Sequence, residues 1–357
     1  MNRRFLKNQK EREIMKAAVL EQAQNPIVVK NVPDPSVGVN DVLIKVRACG
    51  VCHTDLHIVD GMLAAFGYDP FPLIMGHEIV GEVAQVGSEV THLKPGDRVG
   101  AYWQFGCGHC HYCRSGKEQT CITNSRTHNI RHAGVTLPGG YAEYFTVAAD
   151  YAIPLPDAIE FVDAAPFLCA GLTMYAGFKN AALRPGQRAA ILGIGGLGHL
   201  AIPIAKAMGA EVIAITSTES KQTTAKQLGA DHTINGAGAE AGSKLLAMGG
   251  ADVVLSTTLN TEAINGAIHG LLPQGTLVLT ALTADPLPII PVQLLAYEKR
   301  IIGSLIGTRL DFQELLHLAA QHNIRPMTEC YALDDVNTAH ARLREGKVRY
   351  RAVLTPN

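Results

Sequence analysis

The chain has 357 residues, a net charge of −1, 47% hydrophobic and 18% charged residues. This is an ordinary globular balance. Nothing in it draws the chain electrostatically to nucleic acid or an anionic membrane, and no apolar run approaches a membrane span. Two domains are expected at this length rather than one core.

The opening stretch "MNRRFLKNQKEREIMK" is basic and polar and lacks the apolar core of an export signal. Residues 1–14 are therefore read as an N-terminal extension with no assigned function, and the location as cytoplasmic. In a reducing compartment the eight cysteines suit metal binding or catalysis better than disulfides.

The first half is strand-rich. "DVLIKVRACG" is an apolar and β-branched run, "IVGEVAQVG" alternates between glycines, and "LKPGDRVGAYW" is a Pro-Gly turn followed by a strand. Short strands with Gly and Pro turns suggest a partly open barrel. From about Ala170 the pattern changes. Strand "QRAAILGIGG", helix "LGHLAIPIAKAMGA", strand "EVIAITST" and helix "ESKQTTAKQLGA" follow one another, with further strands at "ADVVLSTT" and "GTLVLTAL". Alternating strands and helices predict βαβ units and a parallel sheet. After Thr308 come a helical piece, "DFQELLHLAAQHN", and a closing strand, "YRAVLTP".

"GIGGLG" places Gly193, Gly195 and Gly198 in G-x-G-x-x-G, with Gly196 and Leu197 between them. The pattern alone is weak. Here an apolar strand precedes it and a helix opens at its end, as a dinucleotide fingerprint requires. The glycines permit the turn, the approach of a pyrophosphate and close helix–strand packing. The helix N-terminus offers free N–H groups to the phosphates. The next strand ends in Thr216, Ser217 and Thr218, with Lys221 nearby and no carboxylate at the tip. Hydroxyls with a cation suit a 2′-phosphate, so NADP is expected over NAD. A plain Ser/Thr helix cap is the competing explanation.

Cys107, Cys110, Cys113 and Cys121 read C-x2-C-x2-C-x7-C. Four thiolates this close can complete a tetrahedral zinc shell, which makes a structural site. The spacing also admits an iron–sulfur cluster, and His109 or His111 as a substitute ligand. "CGVCHTDLH", Cys49 to His57, admits a redox dithiol, half of a zinc knuckle, or one catalytic ligand beside a bystander. The pair does not precede a βαβ helix, where a redox dithiol belongs, and the four-cysteine loop already forms a complete set. His77, Glu78 and Cys169 are further candidates, but spacing alone does not join them to Cys52.

"CGVCHTDLH", "GHEIVGEVAQVG", "KPGDRV", the four-cysteine loop, "LCAGLT" and "GIGGLG" occur in that order across nearly the whole chain. In these motifs the sequence resembles the zinc-dependent medium-chain alcohol dehydrogenases. The resemblance implies a GroES-like, partly open β-barrel catalytic domain at 15–169 with a structural zinc loop at 106–122. A Rossmann domain would occupy 170–308, and 309–357 would return to the first domain. It makes Cys52, His77 and Cys169 the catalytic zinc ligands, so two zinc ions per chain are expected. Glu78 would stand beside the metal, Asp55 would orient His77, Thr54 would bond the substrate hydroxyl and His57 would pass the proton to solvent. His53 and Arg351 would contact the pyrophosphate and Thr173 the nicotinamide. Trp103 is either a substrate-pocket wall or a core aromatic.

The implied reaction is hydride transfer between the carbinol carbon of a primary alcohol and NAD(P). "ITSTESK" resembles the NADP branch of cinnamyl alcohol dehydrogenases and bacterial aldehyde reductases. "IGTR" and the loop around Cys169 resemble ethanol-active bacterial and yeast-type enzymes. Partners would be a small alcohol or aldehyde and a second or further copies of the chain, as homodimer or homotetramer. Competing readings are a polyol or formaldehyde dehydrogenase of the same zinc group, a zinc-free reductase, and a non-enzymatic zinc-loop protein.

Overall fold

A computed structural model describes residues 14–236, 238–282 and 285–356. The N-terminal extension expected at 1–14 lies outside them except for Ile14, which opens the first strand, Ile14–Leu20. The chain divides into two compact units, Met1–Leu168 with Met327–Asn357, and Cys169–Pro326.

The first unit is built on a seven-stranded sheet. In order across it run Ala152–Pro154, Arg98–Ala101, Glu78–Val86, Asp41–Val51, Arg351–Thr355 and Thr328–Ala332, while Tyr144–Ala148 also pairs with Asp41–Val51. Strand Asp41–Val51 begins with the expected alternation, burying Val42, Ile44, Val46 and Ala48. From Ala48 every residue is buried. Glu78 lies opposite Gly50 on one edge, and Ala352 opposite Val51 on the other. The run "CGV" therefore ends inside the unit, between strands that are distant in sequence. A smaller sheet pairs Ile14–Leu20 with Val28–Pro33 and Leu73–Ile74.

The second unit holds the expected parallel sheet. Its six strands run in the order His232–Asn235, Glu211–Thr216, Arg188–Leu192, Ala251–Ser256, Leu271–Leu279 and Arg300–Gly303. All of its pairings are parallel. Numbered within the unit this is 3-2-1-4-5-6, the doubly wound dinucleotide-binding order, with its switch point beside Arg188–Leu192. Ala190, Leu192, Ile213, Ile215, Val254 and Leu277 form the centre of the core. Helices cover both faces, so these strands read as continuous apolar runs.

The unit extends further than the boundary expected at Thr308. Helix Arg309–Gln321 belongs to it and buries Phe312, Leu315, Leu316 and Ala319. Thr308 and Asp311 form its capping box. Lys179 of helix Ala170–Asn180 reaches Asp311 at 2.6 Å and Glu314 at 2.5 Å, and the Tyr175 hydroxyl donates to Glu314 at 2.9 Å. The apolar stripe of this helix and the lysine it pairs with keep it in the second unit, so the chain crosses back only after Pro326.

Burial alone would raise the Asp311 carboxyl, but Lys179 and the Thr308 amide and hydroxyl outweigh it and hold it low. A lowered carboxylate stabilises the fold above the ordinary unfolded value of about 3.9 and loses that contribution as pH falls through its folded value. Asp311→Asn should cost on the order of 1 kcal/mol at neutral pH, reduced by the partial exposure of Lys179. In thermal melts between pH 7 and pH 2, the gap from wild type should close in acid.

Candidate active site

Cys52 sits where strand Asp41–Val51 passes into helix His53–Val59. It has extended backbone (φ −112°, ψ 158°) and occupies the N-cap position. Asp55 reaches back to accept from the Cys52 N–H at 2.8 Å, which fixes the Cys52 backbone. The same Asp55 Oδ2 accepts from the Tyr141 hydroxyl at 2.9 Å. Its other oxygen lies 3.5 Å from His77 Nδ1.

Asp55, His77 and Glu78 are fully buried, and Arg351 is 2% exposed. Arg351 donates to Glu78 Oε1. Burial pushes the Glu78 carboxyl up to about 7, even against the pull of Arg351. Burial opposes a charge on His77, but Asp55 and Cys52 more than offset it, leaving its basicity well above the usual imidazole range. Among the described residues neither ring nitrogen of His77 has a hydrogen-bond partner. Such a buried ring nitrogen is costly unless a ligand occupies it. Cys52, His77 and Glu78 converge with Cys169, which follows Leu168 by one peptide bond at the junction of the units. Their donor atoms lie within 4.8 Å of one another.

Trp103 packs against this group. Its ring lies 4.7 Å from that of His77 and edge-on to His132 at 5.2 Å. Its indole N–H donates to the Leu168 carbonyl at 3.2 Å, which ties the chain just before Cys169 to the first unit. Buried beside His77, His132 is held down at about 4, so it stays neutral near neutral pH.

The four-cysteine loop is a separate site. Its sulfur separations include 3.5 Å for Cys110–Cys113, 3.9 Å for Cys107–Cys113 and 4.0 Å for Cys110–Cys121. These are far beyond a disulfide bond. One metal with four bonds of about 2.3 Å to sulfur would space the sulfurs about 3.8 Å apart. Backbone N–H groups of Cys107, Cys110, Cys113 and Asn124 point at sulfurs of the set from 3.4 or 3.5 Å. Such donors stabilise thiolates. His109 turns its Nδ1 to the Cys107 carbonyl at 2.8 Å, and neither His109 nor His111 joins the group.

In the second unit the "GIGGLG" loop joins strand Arg188–Leu192 to helix Gly198–Ala207. Gly193 has φ +95°, and its N–H bonds the Ile215 carbonyl at 3.0 Å. A Cβ on Gly195 would meet nothing within 4 Å, whereas one on Gly198 would lie 2.0 Å from the Gly193 carbonyl. Gly195 thus leaves a bare backbone surface for a phosphate, and Gly198 closes the loop onto the helix. Gly196 and Leu197 are half-buried in the same loop. At the end of strand Glu211–Thr216, Thr216 is buried and takes the Thr218 N–H at 3.4 Å. Ser217 and Thr218 are exposed and Lys221 is half-buried. Thr218 occupies the N-cap of helix Glu219–Gln227 without a side-chain cap bond, so its hydroxyl is not used as a plain cap.

Two family models match: the alcohol dehydrogenase GroES-like domain over residues 38–157 and zinc-binding dehydrogenase over 196–321. An alcohol dehydrogenase of Geobacillus stearothermophilus is 42% identical over 346 residues, 95% of this chain and 99% of that one. The chain belongs to the zinc-dependent alcohol dehydrogenase family. It is similar also to the NADP-dependent alcohol dehydrogenase C 1 of Mycolicibacterium smegmatis, at 36% identity over 93% of this chain and 95% of that one. A solved cinnamyl alcohol dehydrogenase from Sorghum bicolor superposes with a TM-score of 0.85 at 31% identity, covering 96% and 97% of the two chains.

Within this alcohol dehydrogenase the expected site residues fall into groups. Thr54 and His57 share the helix that Cys52 opens, and both are half-buried. Thr54 Oγ1 lies 3.7 Å from Cys52 Sγ. His53, on the same helix, is exposed. Thr173 stands in the first turn of helix Ala170–Asn180 and donates its hydroxyl to the Leu305 carbonyl at 2.8 Å. Arg351, expected at a pyrophosphate, donates to Glu78, because strand register brings its end of the chain beside Gly50. Tyr141 escaped sequence reasoning altogether. Its only sequence signal is its place after Gly139 and Gly140, and only the fold carries it to Asp55.

Cys107→Ala should release the loop metal and open residues 106–122 to protease while the Cys52 group keeps its ion. Metal analysis with limited proteolysis checks this; retention of all metal by the variant would refute the loop assignment.

Proposed function

We propose that this alcohol dehydrogenase interconverts short to medium primary alcohols and their aldehydes, binds two zinc ions per chain and prefers NADP to NAD. The observation that carries the reading is the buried His77 imidazole, neither of whose ring nitrogens has a hydrogen-bond partner among the described residues, in one group with Cys52, Cys169 and Glu78. Cys52, His77 and Cys169 are the ligands in this reading, a Cys2His set that leaves an open position. Zinc held there would supply a Lewis acid for the substrate oxygen, and a bound nicotinamide would supply the hydride chemistry.

The chain's own residues do the rest. Asp55 sets the ring orientation and tautomer of His77. Thr54 exchanges the substrate hydroxyl proton, and His57, three residues on along the same helix face, hands it to solvent. Trp103 walls the site and helps exclude water. Glu78, whose carboxyl burial raises to about 7 against the pull of Arg351, stands beside the ligands. The NADP preference is supported by the exposed Ser217 and Thr218, the nearby Lys221 and the missing carboxylate at the strand tip. The reduced thiols of both sites suit a cytoplasmic location.

Zinc analysis and oxidation of NADPH and NADH with a panel of aldehydes test the reading together. Two zinc ions per chain and faster aldehyde-dependent oxidation of NADPH are expected. Inactivity with every aldehyde despite both zincs would overturn it. Cys52→Ser should abolish turnover and spare the loop metal, whereas Cys49→Ala should stay active.

Assembly through the second unit is part of the same proposal. Arg300–Gly303 is an edge strand of the parallel sheet. Ile290, Val292, Leu295 and Tyr297 nearby are 58%, 62%, 76% and 58% exposed, more apolar surface than an unpartnered edge tolerates. Light scattering should find a dimer or tetramer that Leu295→Asp dissociates; a wild-type monomer would refute it.

A further inference from the structure

Behind the metal-binding group lies a slot built for one aromatic ring. Tyr141 is fully buried. Its backbone N–H bonds the Met75 carbonyl at 2.9 Å, and its carbonyl takes the Ala18 N–H at 2.8 Å. The ring lies directly over Gly76, the residue before His77. A Cβ on Gly76 would stand 2.3 Å from Tyr141 Cδ1 and 2.8 Å from Cys49 Sγ, and Gly76 has φ +89°. Small residues at 49 and 76 thus make the room that the ring fills.

The ring carries a hydroxyl where a phenylalanine would fill the same space. A buried hydroxyl is costly unless it is bonded. This one donates to Asp55 Oδ2 at 2.9 Å. Burial and the Asp55 charge raise the phenol well above its usual range, so it keeps its proton near neutral pH. On its far side His340 Nε2 lies 3.5 Å away, edge-on. His340 is 7% exposed and lines a surface groove with Val59, Asn337 and Arg344.

We propose that Tyr141, supported by His340, is a positioning residue for the metal-binding imidazole: its hydroxyl holds Asp55 in the orientation that aims His77 Nε2 at the metal. The inference rests on the zinc site proposed above. Asp55 is fully buried and has two hydrogen bonds under 3 Å, one from Cys52 N–H and one from Tyr141. The first fixes one oxygen close to its own helix. The second ends on the same oxygen from another side, so the two together fix the carboxylate plane and with it Oδ1, 3.5 Å from His77 Nδ1. Without the phenol the plane can turn, and the ring loses its support.

The experiment is zinc release from the loaded full-length enzyme to a chromogenic chelator. Cys52→Ser and Cys107→Ala assign the release phase of each site. Tyr141→Phe should speed the Cys52 phase about 10- to 100-fold, the usual cost of an outer-shell partner, and leave the Cys107 phase unchanged. Its kcat should fall more than its KM rises. His340→Gln, which keeps an N–H donor, should release zinc near the wild-type rate, whereas His340→Ala should speed the Cys52 phase. This pair decides the matter if Tyr141→Phe does not fold. An unchanged Cys52 phase, or equal acceleration of both phases, would overturn the proposal. A wild-type enzyme lacking the Cys52-dependent zinc would instead overturn the metal-site reading, and this inference with it.

Discussion

Charge buried without solvent must be answered by charge or hydrogen bonds inside the protein, and the first unit is organised around that requirement. Asp55, His77 and Glu78 are fully buried and Arg351 nearly so. An unpartnered member would cost several kcal/mol. Each partner comes from a different part of the chain: Asp55 from a short helix, Glu78 from the start of a strand with His77 immediately before it, Arg351 from the last strand, Tyr141 from a loop. Two strand registers bring them together. Glu78 lies opposite Gly50 and Ala352 opposite Val51, which places Glu78 and Arg351 beside the end of the strand that leads into Cys52. The group holds more acceptors than cations, the polarity that a metal site requires.

Space is as tightly allotted as charge. A Cβ on Gly50 would stand 1.8 Å from Glu78 Oε2, and one on Gly76 would strike Tyr141 and Cys49. The glycine before His77 thus serves the ring behind the site. Cys49 acts as a small apolar side chain: burial raises its thiol well above the usual range, away from the thiolate that binds metal. The two cysteines of "CGVC" differ because one faces this packed slot and the other begins the helix beside His77.

The two thiol sets were not equally legible in the sequence. Cys107 to Cys121 lie within one loop, so local spacing already brought four ligands together, and the sulfur separations agree with that reading. Cys52, His77 and Cys169 are far apart in sequence, and spacing alone never joined them. Their common role came from resemblance to a family, and their proximity from the fold. The boundary at Thr308 was misplaced for a related reason. The strand pattern had ended, and nothing local showed that the stripe of helix Arg309–Gln321 packs on helix Ala170–Asn180.

The sequence by itself determined the features set by short-range order. Alternating strands and helices specified the parallel sheet, Gly193, Gly195 and Gly198 specified the tight turn between strand and helix, and four closely spaced cysteines specified a loop in which their sulfurs meet. Periodicity, turn chemistry and spacing act over a few residues and can be read without a fold. Only the tertiary structure decided that Arg351 answers Glu78, that Trp103 lies against His77 and that Tyr141 supports Asp55. Those contacts depend on strand register and burial, which are properties of the whole packed unit and leave no pattern in any short stretch of chain.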